Sequence, residues 1–187
     1  VTLVSVLLNT MAGYAFAKLQ FAGREKVFRS LLAVMVIPGQ VAMMPLFLLL
    51  KQMGLVNTYA GAMVPGLAGV FGIFLVRQYA RSIPDELLDA ARIDGAGPMR
   101  FFFDVLLPLS RTSIAALFVI QFIYGWNQYL WPLLITNQES MYTVVIGIKR
   151  MIVGGDALTE WHLVMATAML AMLPPAVVVV LMQRWFV

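Results

Sequence analysis

The 187-residue chain has no cysteine and a single histidine. Disulfides, thiolate metal sites and thiol catalysis are therefore excluded. One imidazole, His162 beside Trp161, cannot assemble a multi-histidine metal centre, and it reads as an interfacial polar residue. Charge is also scarce. Asp, Glu, Lys and Arg together make up 12% of the residues, against about 25% in soluble domains. No Gly-Lys pair occurs, so the Gly-x-x-x-x-Gly-Lys-Ser/Thr phosphate loop of nucleotide hydrolases is missing. The chain opens at Val1 rather than at an initiator Met, inside an apolar run. That run lacks a basic leader and a small-residue cleavage site, which argues against a signal peptide. It reads as a spanning helix begun partway, and the chain as a fragment lacking upstream segments.

What is abundant is apolar side chain. A hydrophobic fraction of 61% and a mean hydropathy of +0.88 belong to a polytopic membrane protein. A bilayer core takes about 20 apolar residues as helix. Five segments meet or approach that length: 1–17, 28–50, 59–77, 112–135 and 161–183. The fold class expected is an all-α transmembrane helix bundle of about five spans. None has an ionisable residue in its centre. Pro38, Pro45, Pro65, Pro132, Pro174 and Pro175 interrupt them, which is tolerated where neighbouring helices satisfy the freed carbonyls. The net charge of +4 reflects membrane orientation rather than nucleic acid. Lys18, Arg24, Lys26, Arg29, Arg77, Arg81, Arg92, Arg100, Arg111 and Arg184 fall in one set of loops, and only Lys51, Lys149 and Arg150 in the other. Val1 and the 136–160 loop are thus expected outside. The 18–27 loop, the 78–111 segment and the C-terminus are expected in the cytoplasm.

Two spans carry further signals. The third is rich in small residues, and Ala62/Gly66 and Ala68/Gly72 have the spacing that lets helices approach closely. The fourth ends in Trp126-Asn127-Gln128-Tyr129-Leu130-Trp131-Pro132. Trp126, Asn127, Gln128 and Tyr129 could line a path through the bundle, where they would offer hydrogen bonds and stacking. An aromatic belt with helix packing explains them equally well.

Between the third and fourth spans lies a polar island. Five of the nine acids sit from Asp85 to Asp104. Ser82 is a candidate N-cap, Pro84 suits a helix start, and Asp85 follows Ser82 at capping-box spacing. Asp85 and Glu86 favour the positive end of the helix dipole, and Gly95 is a natural stop. A helix over 82–95 would carry Leu87, Ala90, Ala91 and Asp94 on one side. Its charges cannot lie in hydrocarbon, so it belongs on the membrane surface. An amphipathic lipid-bound helix would be basic with bulky apolar residues. This one is acidic and alanine-faced, which suits a protein partner. No nucleophile or histidine accompanies the acids, so acid–base catalysis is not indicated.

Asp89-Ala90-Ala91-Arg92-Ile93-Asp94-Gly95-Ala96, followed by Phe102 and Leu107-Pro108, resembles the Glu-Ala-Ala loop of type I ABC importer permeases. The spacing of Ala-Ala, Gly and Leu-Pro matches, and Asp89 stands where the family has Glu. Phe122 to Leu134 and Pro98-Met99-Arg100-Phe101-Phe102 are similar to the carbohydrate-type branch. The resemblance spans the chain. It implies a non-catalytic permease domain over 1–187, with a cytoplasmic coupling loop at 78–111. It implies that Glu86, Asp89, Ala90, Ala91, Asp94, Gly95, Leu107 and Pro108 engage an ATPase. The implied partners are a cytoplasmic ATPase dimer, a second homologous permease and an external solute-binding protein, all at a bacterial inner membrane. This chain would bind no cofactor, metal or nucleic acid, and ATP and Mg would sit on the partner ATPase. The solute would be sn-glycerol-3-phosphate or a sugar. A secondary transporter or a channel subunit is the alternative. Proton-coupled transporters need carboxylates or histidine at depth, and this chain has none.

Overall fold

The computed structural model describes residues 1–152 and 159–185, and all regular structure among them is helical. In chain order the α-helices are α1 (Thr2–Lys18), α2 (Arg24–Val34), α3 (Gly39–Gln52), α4 (Tyr59–Met63), α5 (Val70–Ser82), α6 (Asp85–Ile93), α7 (Pro98–Phe101), α8 (Leu107–Leu109), α9 (Arg111–Trp126), α10 (Leu130–Ile135), α11 (Val144–Met151) and α12 (Trp161–Met182). Two stretches, Tyr59–Ser82 and Trp161–Trp185, are each long and apolar enough to cross a membrane. Arg24–Val34 with Gly39–Gln52, and Pro98–Leu109 with Arg111–Trp126, pass the same test as bent pairs.

The expected spans are therefore more broken than their hydropathy suggests. The 28–50 segment is interrupted before Gly39, where Pro38 removes a backbone donor. Within 59–77, α4 tightens into a 3₁₀ turn at Val64–Gly66 and restarts as α5. The 112–135 segment opens at Asn127–Tyr129 between α9 and α10. Residues 153–158 of the expected external loop lie outside the described residues.

The chain forms two compact units. The first is built chiefly from Val1–Pro38 and Leu67–Phe118. Its axis is the pair α1 and α5. Asn9 meets Gly69, Gly13 meets Val76, Phe16 meets Arg77 and Lys18 meets Ile83, so the two helices run parallel. They touch at Gly13, where a Cβ would sit 2.7 Å from the Val76 Cβ and 3.0 Å from the Arg77 backbone nitrogen. Buried Asn9 accepts from the Gly69 N–H at 2.9 Å, which satisfies a donor at the start of α5. Below this pair, Tyr14, Ala80, Ile83, Leu88, Phe101, Phe102 and Leu106 form one buried cluster. The Phe101-Phe102-Phe103 run thus divides into two buried rings and one exposed ring.

The second unit comprises Gly39–Gly66 and Val119–Arg184. Leu50, Trp131 and Ile135 form its buried cluster. Asn57 holds the α3–α4 connection in the left-handed region (φ 57°), and its N–H donates to Ile135 O at 2.9 Å. Asn tolerates that conformation better than most residues. Gly61 is needed for space, because a Cβ there would run into the Leu55 carbonyl.

Candidate functional site

The surface built by α6 and the segment after it is the most distinctive feature of the first unit. α6 starts at Asp85, later than expected. Pro84 occupies the cap position, and Ser82 closes α5 instead, its hydroxyl donating to Tyr79 O at 2.7 Å. The capping box read from Ser82 and Asp85 is therefore not formed. Asp85 and Glu86 do occupy the first turn, and Gly95 ends the helix with φ 75°. The Ala96 N–H donates to Ala91 O at 2.8 Å and the Gly95 N–H to Arg92 O at 3.0 Å, closing the last turn as a Schellman motif.

One face of α6 is anchored. Leu88 is buried among Tyr14, Phe101 and Phe102, and Ala91 packs partly against the same cluster. Ala91 is thus turned away from the face it was expected to share with Leu87, Ala90 and Asp94. Those three remain exposed, and Ile93 joins them at 87% exposure. Glu86 and Asp89 are exposed beside them, and Asp89 pairs with Arg92 at 3.1 Å. Pro98–Leu109 carries the platform on. Its middle is a π-helix, Phe102–Leu106, in which the Leu107 N–H reaches back to Phe102 O. Leu106 is fully buried, Leu107 packs against the cluster, and Pro108 faces out. The Tyr14 hydroxyl donates to Pro98 O at 3.1 Å, and its ring lies 5.5 Å from that of Phe102.

Two cations counted as topology signals prove to be built into the structure. Lys18, at the end of α1, has a side chain 3% exposed. Its Nζ donates to Ile83 O at 2.6 Å and to Asp85 Oδ1 at 2.5 Å. That hydrogen bond, and then the ammonium charge, hold the Asp85 carboxyl below its ordinary range. Arg77 is likewise buried. It donates to Phe16 O and to Glu25 at 2.7 Å, and its guanidinium lies 3.8 Å over the Phe28 ring. Loop charge counts carry neither role, since both depend on partners more than 50 residues away. Lys18, Arg24, Arg81, Asp85 and Arg92 line a polar cleft of about 460 Å³ beside α6. Among the described residues, no group of three His, Cys, Asp or Glu could hold a metal ion.

The Trp126–Tyr129 run lies in the second unit. The Trp126 indole donates to Ala171 O at 3.0 Å, and its ring stacks on Phe122. Residue 175, whose N–H would serve that carbonyl in a regular helix, is proline. The Trp131 indole does the same for Gly61 O at 3.2 Å, left without a backbone donor by Pro65. Asn127 is exposed and returns its amide to Ile123 O at the end of α9. The Gln128 carbonyl accepts from the Thr143 hydroxyl at 2.8 Å, and Tyr129 precedes α10.

Residues 9–187 match the family model of the binding-protein-dependent transport system inner membrane component. The chain is 50% identical, over 182 residues, to the sn-glycerol-3-phosphate transport system permease protein UgpE of Agrobacterium fabrum. That match takes in 97% of this chain and 64% of the relative. It is 47% identical to the UgpE protein of Pectobacterium atrosepticum, over 100% of this chain and 66% of that one. The chain thus spans just under two thirds of the length of these curated relatives. A crystal structure of a bacterial ABC transporter involved in the import of the acidic polysaccharide alginate shares its fold. The TM-score is 0.85 at 24% identity, covering 99% of this chain and 70% of that one. A chain whose described residues form helices only, with membrane-length stretches and an anchored polar helix between them, matched from residue 9 to 187, belongs to the family of binding-protein-dependent transport system inner membrane components.

Proposed function

We propose that the chain is a membrane-spanning permease subunit of an ATP-driven, binding-protein-dependent importer, and that its solute is sn-glycerol-3-phosphate or a sugar. The observation that carries the reading is α6. Its inner face is fixed by Leu88 and Lys18, and its outer face presents Ala90 and Ile93 between exposed carboxylates. A small residue flanked by acids leaves room for a partner backbone and a basic side chain. Glu86, Asp89, Ala90, Asp94 and Gly95 would meet a cytoplasmic ATPase, with Ala91, Leu107 and Pro108 shaping the platform. ATP and Mg would bind that ATPase. A second, related permease would complete the pore, a solute-binding protein would deliver from outside, and the C-terminus would lie in the cytoplasm. The solute identity draws on the names of relatives near 50% identity.

Ala90→Trp tests the reading in the assembled importer. Transport should be abolished while the subunit remains inserted, and full transport would sink it. Asp89→Glu should be tolerated and Asp89→Ala should uncouple hydrolysis from transport. For the path, Asn127→Ala and Gln128→Ala should change solute range or rate while the binding protein still stimulates the ATPase. Normal transport of every solute by both would place the path elsewhere.

A further inference from the structure

The C-terminal end of α1 is fastened to the start of α6 by one side chain. Lys18 Nζ bridges Ile83 O and Asp85 Oδ1, and so spans the corner where α5 becomes α6. The ammonium is buried while the carboxylate is 80% exposed. A buried ammonium without its acceptors is costly, so Lys18 depends on both. Two other cations of the cleft have nearer partners: Arg92 pairs with Asp89, and Arg24 with Leu19 O and Glu25. Higher up, the Gly13–Val76 contact keeps α1 and α5 in parallel register. We propose that Lys18 and Asp85 form a latch that obliges α1 to move with α6, so that displacement of α6 by a partner is delivered to two parallel helices rather than one. Lys18 and Asp85 are positioning residues in this scheme, which rests on the reading of α6 as the coupling helix. The exposed carboxylate can be altered without emptying the core. The buried lysine gives the corner its lasting grip.

The test uses the full-length subunit in proteoliposomes, with its partner permease, ATPase and binding protein. The readout is solute imported per ATP hydrolysed, which a merely structural residue would leave unchanged in the assembled fraction. Asp85→Asn keeps the Lys18–Ile83 bond and removes only the ion pair. It should lower the ratio about tenfold. Lys18→Met should do likewise, the double variant should be no worse than the poorer single, and Asp85→Glu should recover most of the loss. A wild-type ratio in Asp85→Asn, or single losses that multiply in the double variant, overturns the latch. If Lys18→Met does not assemble, Asp85→Asn and Asp85→Glu decide alone. Ala90→Trp separates the two ideas. If it abolishes transport while Asp85→Asn is normal, only the latch falls. If it transports fully, the coupling reading falls first.

Discussion

At the scale of single residues, space and donors decide more than type. The sequence points to the small residues of 59–77 as the close-packing surface, and Gly61 within it has no room for a Cβ, but Gly13 on α1 has none either. Nothing local marks Gly13, because its partner Val76 is distant in sequence. Gly13→Ala should cost about 1–3 kcal/mol by overpacking, since the Arg77 backbone cannot yield as a side-chain tip would. Thermal unfolding of the purified subunit measures this. Trp126→Phe keeps the stacking surface but leaves Ala171 O unserved, at a cost of about 1–3 kcal/mol. Asp85 also makes a prediction in pH. Its carboxyl titrates lower in the folded state, so its contribution is present above the ordinary value near 3.9 and is lost as pH falls through the lowered one. Unfolding midpoints should be flat in this contribution from pH 5 to 8 and fall on further acidification. Asp85→Asn should reduce that acid-dependent loss.

At the scale of elements, much of α6 was legible. Acids in the first turn and glycine at the end are local signals, and the helix obeys them. The starting cap was not legible. Ser82 looks like a cap until α5 is seen to run through it, when its hydroxyl serves Tyr79 O instead. Ala91 likewise looks equivalent to Ala90 until Leu88 fixes which side is inward. Gly95 allows a clean test of backbone conformation, because a Cβ there meets nothing within 4 Å. Gly95→Ala should therefore weaken the helix end by about 1–2 kcal/mol through its positive φ alone, and Gly95→Asn by less. Amide exchange across 91–96 would register both.

At the scale of the whole molecule, hydropathy pointed to five spans, of which two stand as membrane-length helices and two as bent pairs among the described residues, and it did not show the breaks. Prolines announce that a carbonyl will be freed, and the sequence does not say which side chain will take it. In the second unit the takers are indoles 45 and 70 residues away from Ala171 and Gly61. A chain of this kind should function as half of a pseudo-twofold pair. Purification from cells expressing the whole importer should recover it with a related permease, and a transport-competent assembly lacking one would count against that. The indole–proline pairing has an evolutionary consequence. Each tryptophan supplies the donor that one proline removes, so the two positions are linked. Pro175→Ala restores the missing N–H, and in that background Trp126→Phe should become nearly harmless. Lineages that lose proline at position 175 should then be free to lose the indole at 126. The same linked drift should join Pro65 to Trp131, giving covariation between positions whose side chains need never touch.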